Sequence, residues 1–144
     1  MKKMFIAMAI LSSFQALSLD ASSLIGTGSK SVQTLDGEVV ATGTQCEVLL
    51  EDDNLVMKHD AKIDGWNVGD VEQYFDLSRA TDEGDSLEIE VGRVSHGYCG
   101  DSRSAKQLVR YMKKEGSKVI FGEEYRCSLF DLTKTVNEHI CYLD

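Results

Sequence analysis

Leu87-Glu88-Ile89-Glu90-Val91 decides the fold. Apolar and acidic residues exchange at every step, the two-residue period of a strand with one face buried and the other in water. Past Gly92 the apolar phase shifts by one, to Val94, His96 and Tyr98, which predicts a β-bulge at Gly92-Arg93.

The same period recurs upstream. Thr81-Asp82-Glu83-Gly84-Asp85-Ser86 is a turn, and Val71 to Leu77 before it is rich in strand-forming residues. Asp64 to Asp70 reads as a loop. Before it, Leu55, Met57 and His59 alternate with Val56, Lys58 and Asp60. Glu51 to Asn54 turns the chain from a strand on which Cys46, Val48 and Leu50 share one face. Further back, Asp36-Gly37 between two extended runs is a strong hairpin signal. Proline is absent from the whole chain, so the turns rely on glycine and aspartate.

Downstream, residues 101–116 depart from this period. Ala105, Leu108, Val109 and Met112 recur at helical spacing, with Lys106, Arg110, Lys113 and Lys114 elsewhere on the wheel. This predicts a single helix near residues 103–115, capped by Asp101, Ser102 or Ser104 and ended by Gly116. A hairpin turning at Lys114-Glu115-Gly116-Ser117 is the competing reading. Val119, Phe121, Tyr125, Cys127 and Leu129 then mark another strand, and Asp131 to Lys134 turns it into a last one with Val136, Ile140 and Tyr142. The expected fold is mainly β, an antiparallel meander of about seven strands, either barrel-like or wrapped on the one helix.

The N-terminus reads as an export leader. Lys2 and Lys3 precede an apolar run from Met4 to Leu11, and Ala16-Leu17-Ser18 offers small residues at a cleavage site. Residues 1–18 are therefore expected to be a signal peptide and 19–144 a single antiparallel β domain, periplasmic or secreted. The apolar run is shorter than the roughly 20 residues of a membrane span, so no integral membrane segment is expected.

Removal of the two lysines takes the formal charge from −9 to −11. Such a surface repels phosphate backbones and anionic lipid, which argues against nucleic acid and membrane surfaces as partners and leaves room for a cationic one. In an oxidising compartment Cys46, Cys99, Cys127 and Cys141 would form two disulfides. A final turn centred near Lys134 would set Cys127 across from Cys141, pairing Cys46 with Cys99 by remainder.

No Cys-X-X-Cys motif, Gly-X-Ser-X-Gly elbow or calcium-loop spacing is present, so neither a catalytic residue, a metal site nor a cofactor is assigned. Aromatic and histidine residues carry the binding expectation instead: Trp66 on a polar loop, Tyr74 on a strand, and His96 and Tyr98 beyond the bulge. The function expected is an exported, disulfide-stabilised binding or interaction protein, for a small apolar ligand or a protein partner. The alternatives are a secreted or periplasmic hydrolase built from scattered residues such as His96 and nearby acids, and an inhibitor or toxin-like effector.

Overall fold

Two-residue turns set the register of the sheet. Asp36-Gly37 and Asp64-Gly65 both take left-handed backbone, with φ of 50° and 83° in the first and 50° and 81° in the second. Two successive positive φ values match the right-handed twist of the flanking strands, and glycine takes the second position without a Cβ clash. Asp52-Asp53 and Gly116-Ser117 close two more hairpins of the same length.

The computed structural model describes residues 19–95, 99, 104–127 and 134–144. The expected leader, together with His96 and Tyr98, lies outside them. Within them ten strands follow one another: β1 Gly26–Leu35, β2 Glu38–Gly43, β3 Cys46–Glu51, β4 Asn54–Ile63, β5 Trp66–Asp76, β6 Thr81–Asp82, β7 Ser86–Ser95, β8 Ser104–Glu115, β9 Lys118–Arg126 and β10 Thr135–Leu143. Every pairing is antiparallel.

β2 and β3 behave as one long strand interrupted at Thr44-Gln45. Both lie along the same side of β1, and β4 pairs with each in turn. One meander therefore runs from β1 to β5 and a second from β6 to β10. They are joined by the ladder between β1 and β10, with β5 and β6 at the two ends of the sheet. The sheet curls without closing on itself. Phe75 of β5 meets Phe121 of β9 edge-to-face across the interior, ring centroids 6.3 Å apart.

The inner face carries the main core, including Leu24, Val48, Leu55, Met57, Phe75, Met112, Val119 and Phe121. A short 3-10 turn at Ala21–Leu24 places Leu24 in it. A second cluster of Val32, Tyr111, Ile120 and Ile140 covers part of the opposite face.

That second cluster explains why the expected helix is a strand. β8 is a central strand paired with β7 and β9. Its Met112 lies in the main core and its Tyr111 in the outer cluster, while Leu108 is fully buried. Apolar residues on both faces, together with Arg110 bonded to Glu123 and Lys114 bonded to the Ser23 carbonyl, break the two-residue alternation and imitate a helical stripe. The competing hairpin, turning at Gly116-Ser117, is the observed one. The bulge near Gly92 is also observed: its φ is 75° and the register with β8 shifts on both sides of it.

The disulfides join Cys46 to Cys141 and Cys99 to Cys127. This corrects the expected pairing of Cys127 with Cys141 and Cys46 with Cys99. Thr135 pairs with Tyr125, so the register of the last two strands is offset from one centred at Lys134, and Val119 stands opposite Cys141. Cys141 also faces the main core, whereas Ile140 belongs to the outer cluster. There Cys141 reaches Cys46, whose Cα is 5.7 Å away on the far side of β1.

The bridge passes close over Gly28. A Cβ on Gly28 would fall 1.9 Å from the Tyr142 carbonyl oxygen and 2.9 Å from Cys46 Sγ, so only glycine fits.

Candidate functional site

The interruption between β2 and β3 would leave backbone donors unpaired, and β4 supplies their acceptor. Asp60 Oδ1 accepts from Thr44 N at 2.8 Å and Gln45 N at 2.9 Å, and its Oδ2 accepts from the Thr44 hydroxyl at 2.9 Å. Burial works against the Asp60 charge, but these hydrogen bonds outweigh it and hold the carboxyl below its ordinary range.

Beside this knot lies a cleft of about 440 Å³. Strand register assembles its walls. Thr27 pairs with Glu47, Glu47 with Lys58 and Lys58 with Glu72, which sets these four side by side on β1, β3, β4 and β5. Asp60 and Asp70 form the next pair along the same face. Gln45, Cys46, Gly28 and His59 complete the lining.

Four carboxylates, those of Glu47, Asp60, Asp70 and Glu72, thus share the lining with a single ammonium, that of Lys58, which is already engaged. Lys58 Nζ donates to Glu51 Oε1 at 2.7 Å, which raises its pKa. Tyr74 borders the cleft by donating its hydroxyl to Glu72 Oε2 at 2.6 Å, which raises the phenol. The cleft therefore offers a concave, negatively charged surface to a positively charged guest.

Behind it runs a buried chain of polar groups. The ring nitrogens of His59 lie 2.9 Å from the Asp60 carbonyl oxygen and 2.9 Å from His139 Nδ1. A carbonyl only accepts, so His59 Nδ1 donates to it, and a single hydrogen is shared between His59 Nε2 and His139 Nδ1. The Ser31 hydroxyl donates to the same carbonyl at 3.3 Å. Burial, reinforced by the neighbouring His59, lowers the His139 pKa to about 4, so it is neutral at pH 7.

Among the described residues neither histidine of this pair bonds a serine or carboxylate through its ring, so the pair lacks the arrangement that activates a nucleophile. Cys46, the thiol-bearing residue of the lining, is consumed in its disulfide. Among the described residues no group of three or more His, Cys, Asp or Glu side chains is arranged to hold a metal ion.

The sequence candidates divide. Trp66 opens strand β5 rather than sitting in a loop, and it is 79 % exposed at the sheet edge. Tyr74 lies on the same strand and meets the cleft through Glu72. His96 and Tyr98 lie outside the described residues. The acidic row was missed, although Lys58 and Asp60 had been phased away from Met57 and His59; the absent signal was the pairing register, which brings together acids distant in sequence.

Comparison of the sequence with protein-family models, with curated proteins and with solved structures found no match.

Proposed function

We propose that this chain is an exported, disulfide-stabilised binding protein whose ligand is cationic and enters the cleft between Glu47, Asp60, Asp70 and Glu72. The observation that carries this reading is the row Thr27–Glu47–Lys58–Glu72, which gathers negative charge into one concavity while the lone lysine is spent on Glu51. A polar lining favours a charged guest over a small apolar one. The leader-like N-terminus and the two disulfides support export. Trp66 and Tyr74 extend the contact surface along β5, and His96 and Tyr98 remain proposed contacts from the sequence.

The test is calorimetric titration with cadaverine, a simple dication. The expected result is saturable binding that weakens as salt is raised. The double substitution Glu47→Gln, Glu72→Gln should weaken it about tenfold, since two facing charges are lost. Binding that is unchanged in that variant, or absent altogether, contradicts the assignment.

A further inference from the structure

β5 has a free side. Among the described residues it pairs with β4 and with no other strand, which leaves alternate backbone amides and carbonyls of its outer edge without a ladder partner. Most of the strand is exposed, from Trp66 through Asp70 and again at Glu72 and Tyr74.

Edge strands that avoid company carry charge and few apolar groups. β5 carries charge of one sign, Asp70, Glu72 and Asp76 with no basic residue, and it also leaves Trp66, Val68 and Tyr74 at 79 %, 56 % and 51 % exposure. Large apolar side chains standing beside unpaired backbone are the pattern of a strand that accepts another.

The charge identifies the guest. A second copy of this chain laid along the same edge would set Asp70 and Glu72 against their own counterparts, an arrangement that like charges oppose. A segment with basic residues at alternate positions would instead face Glu72, Asp70 and the cleft they line, with its remaining side chains free to meet Trp66, which the register shift at Val68 places on the opposite face.

We infer that the cationic ligand is an extended basic segment of another polypeptide, added to the sheet as a strand beside β5 with its basic side chains directed into the acidic cleft. This deepens the reading of the cleft as a cation site and rests on it. Backbone hydrogen bonds to β5 supply strand pairing, and the cleft supplies the preference for lysine or arginine at every second position.

Trp66 is the chain's one tryptophan, so its fluorescence reports on this edge alone. The full oxidised chain is titrated with an alternating lysine–valine peptide and with two N-methylated forms of it, each blocking every second amide in opposite phase. The expected result is a blue shift of Trp66 emission on binding the parent peptide. One methylated form should bind at least about tenfold more weakly, because it loses several ladder hydrogen bonds, while the other, methylated on amides that face away, retains its affinity.

Equal affinity for all three peptides means that charge attraction alone is at work and overturns the proposal. Binding of cadaverine without binding of the parent peptide overturns it too, while leaving the cleft a cation site. Failure of both probes removes the cleft reading and this proposal together. Self-association of the chain that buries Trp66 in the absence of peptide would show that the edge is occupied by a second copy, and would also overturn it.

Discussion

At the scale of single residues, one glycine and one histidine bear unusual weight. Gly28 lets the Cys46–Cys141 bridge lie over β1. Gly28→Ala forces either the Tyr142 carbonyl or the disulfide to move, and should lower stability by about 3 kcal/mol or more. Urea denaturation measures this, and a loss below about 1 kcal/mol would contradict the packing described. His139 makes stability depend on pH. Its pKa falls from the ordinary 6.5 to about 4 in the fold, so between those values the unfolded chain binds the extra proton. Stability is therefore complete above pH 6.5 and declines as pH falls toward 4, by roughly 3 kcal/mol in all. The Asp60 contribution has the same sign but a lower window, being lost only as pH falls below its ordinary 3.8. His139→Gln can still hydrogen-bond His59 without titrating, and should flatten the slope between pH 6.5 and 4. An unchanged slope would assign the acid sensitivity elsewhere. None of this was legible in the sequence. His59 could be placed on an apolar face, but His139 is eighty positions further along, and only the curl of the sheet brings the two rings together.

At the scale of elements, alternation was readable wherever one face is buried and the other wet, as in β7. It failed in β8, because a strand packed on both faces, with the half-buried Arg110 paired to Glu123 of β9, loses the two-residue pattern. The strand assignment has a direct consequence at Tyr111 and Gly122, which stand opposite each other on β8 and β9. A Cβ on Gly122 would lie 2.0 Å from the Tyr111 ring. Gly122→Ala should therefore be destabilising, and Tyr111→Ala should remove much of that penalty, giving a coupling of about 1 kcal/mol or more in a double-mutant cycle. Additive effects would contradict the pairing. Turns were legible where Asp-Gly marks a two-residue hairpin, and Asp64-Gly65 was the exception. It was read into a longer loop because Asn67 and Gly69 continue the polar, glycine-bearing run, so Trp66 was separated from the strand it begins.

At the scale of the whole molecule, an antiparallel, mainly β architecture followed from the repeated short strands, but the cysteine pairing did not. Which cysteines meet depends on how sharply the sheet turns about β1, a property of twist and bulges rather than of spacing. The two bridges serve different spans. Cys46–Cys141 ties residues 95 apart and links the two meanders, whereas Cys99–Cys127 ties residues 28 apart. On chain entropy the longer closure contributes about 4–5 kcal/mol and the shorter about 1 kcal/mol less. Replacing Cys46 and Cys141 together should thus lower the melting temperature more than replacing Cys99 and Cys127, and the reverse order would contradict this account. The acidic cleft is also a whole-molecule property, since Thr27, Glu47, Lys58 and Glu72 come from four strands. Net charge leaves room for a cationic partner without saying where on the surface it would sit.

The most direct test of that placement is a backbone-amide NMR titration of the oxidised chain with cadaverine. Shifts confined to Thr27, Gln45, Glu47, Lys58, Asp60, Asp70, Glu72 and their immediate neighbours are the predicted result. Shifts spread evenly over the acidic surface, or none at all, would contradict it.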